Sequence, residues 1–548
     1  MEAKWLDRRH HQTEAGQKKR KQGAPVHGET DGRPVGDKNA MTAAPTDQTE
    51  IVDFLKDPAT YGIATPVEMV TTHSAYVFLA GDQAFKIKRA VRYNYLDFST
   101  LDARRKVIAH ELALNSPSAP SIYDRVVTIT REKSGRLALD GTGKPVEYAL
   151  RMRRFRREDE LTCIADAGGL DNDLAERLGR VIADLHSAAE KRPLDGAVLI
   201  GEIVAELREA FDRMQTTLGS DRVSVYFRQT DRTFDALAPL LSQRSDQGRV
   251  RRCHGDLHLK NLVMIEGEPV LFDALEFDER LGTCDTFYDL AFLVMDLLHR
   301  GLSGQANALQ NSYLRTLADF TGLATLPLFL SIRAAIRSMV GVQTISGTVA
   351  GDMAREAESY LDQAIGFRTP SPPRLVAVGG LSGSGKTAVA GRIAPGLGAS
   401  PGAVHLRSDL ERKAMFGVEP LERLPDAAYR PDVNSAIYAR LLDEAEEILL
   451  ARHSVIIDAT FLAEADRQAA ADLAARLRVP FHGIWLDADP ATLERRIAAR
   501  TADASDADVE VLHKQLKRGA GPVIWTEIDA GGALDQVVAL VEATLSGH

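Results

Sequence analysis

At residues 380–387 the chain reads Gly380-Leu381-Ser382-Gly383-Ser384-Gly385-Lys386-Thr387, directly after an apolar stretch and at the start of a helical pattern. This is the spacing of a phosphate-binding loop, in which glycines let backbone N–H groups face the phosphates of a nucleotide. Lys386 is expected to reach the β- and γ-phosphates, and Thr387 to coordinate magnesium. A flexible Gly-Ser turn without ligand is the alternative, but the flanking strand and helix favour phosphate binding. The candidate nucleotide-binding residues of this stretch, hereafter the phosphate loop, are Gly380, Ser382, Gly383, Ser384, Gly385, Lys386 and Thr387.

Charged residues follow the phosphate loop at the ends of later apolar stretches. Asp409 and Arg412 lie one helical turn apart, so that Asp409 is expected to activate an acceptor hydroxyl while Arg412 holds the acceptor or its phosphate. The alternative is an Asp N-cap beside an exposed arginine. Asp458 follows the apolar Val455 to Ile457, at the edge where open α/β sheets bind ligands, and is expected to serve magnesium or the acceptor.

An arginine-rich stretch comes later in the same segment. Arg496 and Arg500 precede Ser505-Asp506-Ala507-Asp508, and we expect this stretch to close over the nucleotide as a lid. A helix surface rich in arginine is the alternative interpretation.

The C-terminal segment alternates strand and helix, with near-continuous apolar strands that are typical of a buried parallel sheet. Before it, Thr369-Pro370-Ser371-Pro372-Pro373 predicts an extended linker, because proline removes backbone donors. The segment before the linker begins with strand patterns and continues with long helical ones, which predicts an α+β domain with a sheet-rich lobe first. We therefore predict domains at 50–368 and 374–548, joined by the linker 369–373.

A second motif lies in the α+β segment, where His254-Gly255-Asp256-Leu257-His258-Leu259-Lys260-Asn261 precedes a predicted hairpin that ends at Asp273. Pairing the two hairpin strands brings Asn261 and Asp273 to one end, beside Asp256. Phosphoryl transfer needs a carboxylate that accepts the hydroxyl proton and hard oxygen ligands that hold magnesium. Each residue alone is typical of a turn, but together they predict Asp256 as the base and Asn261 with Asp273 as metal ligands.

These residues resemble the aminoglycoside phosphotransferase-like branch of the protein-kinase-like superfamily over residues 60 to 365. The resemblance implies a bilobal kinase fold, with His254 and Asp289 supporting the loop. It also implies a lysine on a strand that reaches the ATP phosphates and pairs with a helical glutamate. Lys86 and Lys88 share one strand face, so either fits; we prefer Lys86, with Glu111 as its partner.

The C-terminal residues resemble P-loop kinases of the gluconate kinase, polynucleotide 5′-kinase and zeta-toxin group over residues 374 to 520. The resemblance implies an α/β P-loop NTPase domain with a parallel sheet. The order of the two domains also resembles bacterial proteins described as bifunctional aminoglycoside phosphotransferase and ATP-binding proteins. ATP and magnesium are the cofactors that both resemblances imply.

Composition limits the remaining function classes. The net charge of -10 argues against a chain devoted to binding nucleic-acid backbones, and the three cysteines lack the spacing of a zinc site or a disulfide framework. No apolar run is long enough to span a membrane, and we expect a cytoplasmic protein. Residues 1–49 are polar and predict a disordered tail; whether the chain starts at Met1 or Met41 stays open, as does the oligomeric state.

The sequence therefore predicts a two-site phosphotransferase that acts on hydroxyls of small molecules, such as a sugar or an aminocyclitol. Two alternatives remain. The C-terminal domain is a polynucleotide 5′-end kinase, although a nucleic-acid acceptor is not favoured, or one domain is a regulatory ATP sensor without catalysis. The sequence does not indicate the acceptors or any role in antibiotic resistance.

Overall fold

The computed structural model describes residues 47–93, 96–345, 350–500 and 504–546. They form two compact units, of which the first comprises the chain up to Ile164 together with His254–Thr283. The second comprises Ala165–Cys253 and Cys284 to the C-terminus, so the predicted linker at 369–373 lies inside it. The predicted tail and both candidate start sites fall outside the described residues, except for 47–49.

The first unit is built on a six-stranded antiparallel sheet with the strand order β1-β2-β3-β8-β6-β7. Its strands are β1 Glu68–Thr71, β2 Ala75–Ala80, β3 Gln83–Lys88, β6 Tyr123–Arg131, β7 Leu137–Leu139 and β8 Lys144–Arg153. Two short ladders complete its strands, β4 Arg92–Tyr93 with β5 Leu96–Asp97 and β10 Leu262–Ile265 with β11 Glu268–Leu271. Its helices are α1 Thr49–Lys56 and α2 Leu101–Asn115, and the short α3 Leu161–Asp166 follows.

One face of this sheet packs on α1, because Ile51 and Leu55 recur at helical spacing and meet the alternating apolar residues Phe78, Phe85 and Ile87. The chain just before α1 is ordered by polar contacts. Gln48, within the stretch assigned to the tail, is buried and donates from Nε2 to the Lys88 carbonyl at 2.9 Å and to Glu147 Oε2 at 2.8 Å.

The second unit begins with a helical region. Its helices are α4 Asn172–Ala188, α5 Gly196–Asp212, α6 Gln215–Leu218, α7 Ser220–Asp246, α8 Thr286–His299, α9 Ser303–Leu317, α10 Leu326–Thr344 and α11 Ala350–Gly366. Two short strands, β9 Val250–Arg252 and β12 Thr283–Asp285, border the segment that belongs to the first unit. Helix α8 is apolar nearly all round and buried over most of its length, as expected of a helix at the centre of a helical core.

The rest of the second unit is an α/β layer structure around a five-stranded sheet in which every neighbouring pair is parallel. The strand order is β14-β15-β13-β16-β17, with β13 Leu375–Gly380, β14 Val404–Arg407, β15 Val455–Asp458, β16 Phe481–Asp487 and β17 Thr526–Asp529. Its helices are α12 Lys386–Ile393, α13 Ser408–Met415, α14 Pro431–Leu450, α15 Glu464–Leu477, α16 Pro490–Ala498, α17 Val509–Arg518 and α18 Leu534–Ser546.

Both predicted folds are confirmed: a sheet-rich region and helices of α+β type come first, and an α/β region with a parallel sheet follows. The central strand β13 is buried along its whole length, which explains its unbroken apolar sequence. Within the described ranges, no helix combines the length and apolar character that a membrane crossing requires.

Candidate active sites

Strand β3 and helix α2 bring two lysines and a glutamate together in the first unit. Lys86 Nζ lies 2.7 Å from Glu111 Oε1 and 2.7 Å from Asp273 Oδ1. Lys88, on the same strand face, lies 2.6 Å from Glu111 Oε2 and also pairs with Glu276. Because the side chain of Lys88 is fully buried and that of Lys86 is 12% exposed, only Lys86 borders open space.

The loop after β9 gathers the predicted base and one predicted metal ligand. Asn261 Nδ2 donates to the Asp256 carbonyl at 2.9 Å and to Asp256 Oδ2 at 3.1 Å. Asp256 Oδ1 is buried and has no hydrogen-bond partner among the described residues, so its lone pairs remain available to accept a hydrogen bond from a substrate hydroxyl. Burial raises the pKa of Asp256, but attraction by His258 and His254 outweighs it and holds the pKa below the ordinary value.

The hairpin of β10 and β11 forms as predicted, with Leu262 opposite Leu271. It places Asp273 near Lys86 in a left-handed backbone conformation, φ 60°, which is uncommon outside glycine and recurs at functional sites. The Tyr123 hydroxyl holds this backbone by accepting from Asp273 N at 3.0 Å. Partial burial of Asp273 raises its pKa, but the ion pair with Lys86 outweighs this effect and lowers the pKa. The side chain is 44% exposed, so this carboxylate is an anion that solvent and ions can reach.

The supporting residues lie in different units. His254 Nε2 donates to the Phe272 carbonyl at 3.0 Å, which ties the loop to the end of the hairpin. Asp289, in the second unit, accepts from His186 Nε2 at 3.1 Å, and the other ring nitrogen of His186 lies 2.9 Å from the Tyr313 hydroxyl. His186, Asp289 and Cys253 form a buried His/Cys/Asp cluster, but both His186 nitrogens already hold hydrogen bonds.

The phosphate loop depends on glycine at two positions. A Cβ on Gly380 would lie 2.5 Å from the Leu486 carbonyl oxygen, and one on Gly383 would lie 2.7 Å from the Leu493 carbonyl oxygen. Both have positive φ angles, 142° and 85°. The loop leads into the N-terminus of α12, and Ser384 Oγ is buried there with no hydrogen-bond partner among the described residues. An unpaired buried hydroxyl at a helix N-terminus fits a phosphate oxygen.

The two functional side chains at the end of the loop contact different partners. Lys386 Nζ donates to the Leu381 carbonyl at 3.0 Å, and Thr387 Oγ1 donates to Asp458 Oδ2 at 2.6 Å. Burial raises the pKa of Asp458, but the hydrogen bond from His405 and nearby positive charges outweigh it and lower the pKa to about 2. Asp458 is therefore an anion over the physiological pH range, as a magnesium ligand must be.

Helix α13 carries the predicted acceptor residues. Burial, and then repulsion by Asp458, raise the pKa of Asp409, which is the direction that suits a general base. Arg412 Nη1 donates to the Ala428 carbonyl at 2.6 Å, and its guanidinium carbon lies 4.9 Å from the centre of the Tyr429 ring. Arg412 Nε is buried without a hydrogen-bond partner among the described residues. Its N–H group therefore remains available to donate to the substrate that receives the phosphoryl group.

The two arginines of the predicted lid differ in their surroundings. Arg496 is partly exposed and donates from Nη2 to the Gly532 carbonyl at 3.1 Å, while Arg500 is partly buried directly before residues that the structure does not describe. Asp506 joins the later part of the stretch to α13 through Lys413, with Nζ–Oδ1 at 2.8 Å. The Tyr429 hydroxyl also donates to Asp506 Oδ2, at 2.7 Å.

Three residues that contact the candidate sites were not predicted. Gln515 on α17 makes two hydrogen bonds to the phosphate loop. Its Oε1 accepts from Ser382 N at 2.9 Å, and its Nε2 donates to Ser382 Oγ at 3.0 Å. His405 lies 3.4 Å from Asp458 Oδ2, and Glu276 pairs with Lys88. No motif marks these positions, although the strand position of His405, four residues before Asp409, offers a weak signal.

Two family models match the chain. Residues 135–326 match the phosphotransferase enzyme family, and residues 375–522 match an AAA domain. The two matched regions follow one another along the chain, and they are referred to below as the phosphotransferase domain and the AAA domain. Asp256, Asn261 and Asp273 lie in the phosphotransferase match, whereas Lys86 and Glu111 precede it. The AAA match contains the phosphate loop and the candidate residues that follow it. Domains of these kinds use an ATP-type nucleotide, usually with magnesium.

Known proteins resemble one or both domains. An uncharacterised protein of Mycobacterium tuberculosis (strain ATCC 25618 / H37Rv) is 28% identical over 483 residues, which cover 86% of this chain and 94% of that protein. The solved aminoglycoside 2′-phosphotransferase-IIIa is 14% identical, covers 59% of this chain and 100% of its own, and gives a TM-score of 0.37. A gluconokinase from Sinorhizobium meliloti 1021 is 22% identical, covers 33% of this chain and 100% of its own, and gives a TM-score of 0.22.

Proposed function

We propose that the chain is an ATP- and magnesium-dependent phosphotransferase with two sites, each transferring the γ-phosphoryl group to a hydroxyl of a small molecule such as a sugar or an aminocyclitol. The observation that carries the proposal is that each domain combines an oriented lysine, oxygen ligands for magnesium and a separate carboxylate. These are the groups that phosphoryl transfer requires. Net charge and domain type favour a small acceptor over a nucleic acid.

In the phosphotransferase domain, Lys86 reaches the phosphates of ATP, and Glu111 holds its ammonium group in place. Asn261 and Asp273 would bind magnesium, which when present neutralises charge on the β- and γ-phosphates. Asp256 accepts a hydrogen bond from the acceptor hydroxyl and takes its proton as the oxygen attacks the γ-phosphorus. The bond to the bridging oxygen breaks, and ADP leaves.

In the AAA domain, the backbone of the phosphate loop, the Ser384 hydroxyl and Lys386 hold the phosphates. Thr387 and Asp458 would bind magnesium, since they are hydrogen-bonded oxygen groups at the end of the loop. Asp409 takes the proton of the acceptor hydroxyl, and the unpaired Nε of Arg412 binds the acceptor. Arg496 and Arg500 stabilise charge on the transferred group when the lid closes.

The test is a screen of small hydroxylated molecules for an ATP-dependent gain in mass of one phosphate. Wild-type protein is compared with Asp256→Asn and with Lys386→Ala. We expect each variant to lose a different set of products, because each removes a group from one site only. Loss of the same products in both variants would contradict two independent sites.

The same screen separates the alternatives. Phosphorylation of oligonucleotide 5′ ends, but not of sugars, would assign the AAA domain to the polynucleotide 5′-kinases. Products that survive Asp409→Asn but change in amount with Lys386→Ala would make the AAA domain a nucleotide sensor for the other site.

A further inference from the structure

Strand β14 is the edge of the parallel sheet, and its outer side is covered by side chains of helix α9. His405 N donates to Asn311 Oδ1 at 2.8 Å, and the Ala403 carbonyl accepts from Asn307 Nδ2 at 3.0 Å. On the inner side, Val404 N donates to the Ser454 carbonyl at 2.9 Å. An open strand edge normally needs protection. Here two asparagine amides supply the hydrogen bonds of a missing strand.

The orientation of the Asn311 amide is itself fixed. Its Nδ2 donates to the Asn307 carbonyl at 3.0 Å and to Asn307 Oδ1 at 2.9 Å, which leaves Oδ1 facing His405 N. Helix α9 lies in the segment that matches the phosphotransferase family, and β14 lies in the AAA domain. Both belong to the second compact unit, so these contacts join the two domains within it.

The side chain of His405 points from this strand toward the candidate magnesium site. Its Nε2 lies 3.4 Å from Asp458 Oδ2, the oxygen that also accepts from Thr387 Oγ1 at 2.6 Å. The side chains of His405 and Asp458 are 10% and 5% exposed, so neither has much freedom to rearrange. One residue therefore contacts Asn311 through its backbone and Asp458 through its ring.

We propose that Asn311 is a positioning residue for the AAA site: by fixing His405, it holds Asp458 and Thr387 in the geometry that binds magnesium together with a nucleotide. The proposal rests on the function proposed for the AAA site. It means that helix α9, which lies in the phosphotransferase domain, helps to hold the residues of the AAA site in place. Residues that hydrogen-bond a metal ligand, as His405 does with Asp458, typically change affinity or activity by about 10- to 100-fold when mutated.

The test measures the binding of ADP to the full chain with and without Mg²⁺, by tryptophan fluorescence. Two of the three tryptophans, Trp485 and Trp525, lie beside Gly379, where an added Cβ would meet them at 3.0 and 3.1 Å. The third is Trp5, so the phosphotransferase domain contributes none. We expect Mg²⁺ to tighten ADP binding in the wild type. In Asn311→Ala, we expect the factor by which Mg²⁺ tightens ADP binding to be about tenfold smaller, while the affinity for ADP without Mg²⁺ is unchanged.

Two variants on the same helix serve as controls. Asn311→Asp keeps an oxygen that accepts from His405 N but loses the Nδ2 donor to Asn307, so its Mg²⁺ effect should fall between those of the wild type and Asn311→Ala. Gln305→Ala removes a hydrogen bond to the Leu170 carbonyl, 3.1 Å long and away from the AAA domain, and should behave as wild type.

A second pair of variants tests the next link and leaves α9 intact, in case Asn311→Ala fails to fold. His405→Gln keeps an N–H donor for Asp458, whereas His405→Leu does not. Of these two variants, we expect only His405→Leu to lose the Mg²⁺ effect. The proposal is overturned if His405→Leu or a folded Asn311→Ala retains the wild-type Mg²⁺ effect, or if the wild type shows none. A chain that shows these effects but yields no phosphorylated product would refute the proposed transfer and leave the positioning role of Asn311 intact.

Discussion

Lys86 and Lys88 show at the scale of single residues how two identical side chains on one strand face differ in their surroundings. Both contact Glu111, but only Lys86 contacts Asp273 and borders open space, while Lys88 is enclosed with Glu276. Alternation along the strand predicts the shared face, but it does not distinguish the two lysines. The difference comes from Asp273 and Glu276, which lie far away in the sequence.

We predict that Lys86→Met lowers the turnover of the phosphotransferase site by about 10²-fold or more, because one stabilising charge on the phosphates is lost. Lys88→Met is the matched control. It leaves buried Glu276 without its ion-pair partner and Glu111 paired with Lys86 alone, and it should lower the free energy of unfolding by about 3 kcal/mol while activity in the folded fraction persists. Steady-state kinetics and urea unfolding measure the two effects. If Lys88→Met lost turnover and Lys86→Met lost stability, Lys88 would be the lysine that contacts the phosphates.

His453 predicts a pH dependence of the stability of the AAA domain. Burial lowers its pKa to about 4 in the folded chain, from an ordinary value of 6.5. Between these values the unfolded chain binds a proton that the folded chain does not, so the free energy of unfolding falls as the pH falls. The loss amounts to about 3 kcal/mol at most.

Urea unfolding followed by tryptophan fluorescence at about pH 7.5 and about pH 5 measures this loss. His453→Gln keeps a donor for the Gly402 carbonyl, which His453 Nε2 contacts at 2.8 Å, and should reduce the pH dependence. Equal pH dependence in the wild type and in His453→Gln would contradict the assignment.

At the scale of elements, the phosphate loop and helix α12 give opposite predictions for two glycines. Gly383 has φ 85° and no room for a Cβ, so Gly383→Ala should distort the loop and weaken ADP binding at least tenfold, by analogy with other displaced phosphate-binding groups. Gly391, inside α12, has open space around an added Cβ, so Gly391→Ala should stabilise the helix by about 0.5–1 kcal/mol and leave binding unchanged. Tryptophan fluorescence and thermal melting measure both effects.

The elements that the sequence predicts well are those whose signals are local. The hairpin after Asn261 and the strand, loop and helix around Lys386 form as predicted, because turn residues and apolar periodicity act over short distances. Gln515 contacts the phosphate loop from 133 residues away, and Asn311 contacts His405 from 94 residues away. Such contacts depend on packing between distant elements, which periodicity does not encode.

For the whole molecule, the contact between α9 and β14 predicts that a nucleotide at the AAA site stabilises part of the phosphotransferase domain. A ligand at about 100 times its dissociation constant adds about 2.7 kcal/mol to the state that binds it. We expect Mg²⁺ with ADP to slow hydrogen exchange in α9 in a Lys86→Met chain, where the first site is impaired. Helix α5 is the comparison, and Asn311→Ala should reduce the difference, because only the Asn307 contact to β14 then remains. Equal protection of α5 and α9 would contradict the prediction.

Because asparagines of α9 complete the outer edge of β14, cutting the chain at the proline-containing linker would not yield two independent proteins. The C-terminal fragment on its own would present an unpaired strand edge, available to another copy of itself. A chain nicked at the linker after folding should therefore keep its two fragments together through the packing of α9 against β14, of which the asparagine contacts are part. Separate expression of the two halves should instead give a C-terminal half that self-associates. The part of the chain before the linker thus protects one edge of the sheet from pairing with another copy.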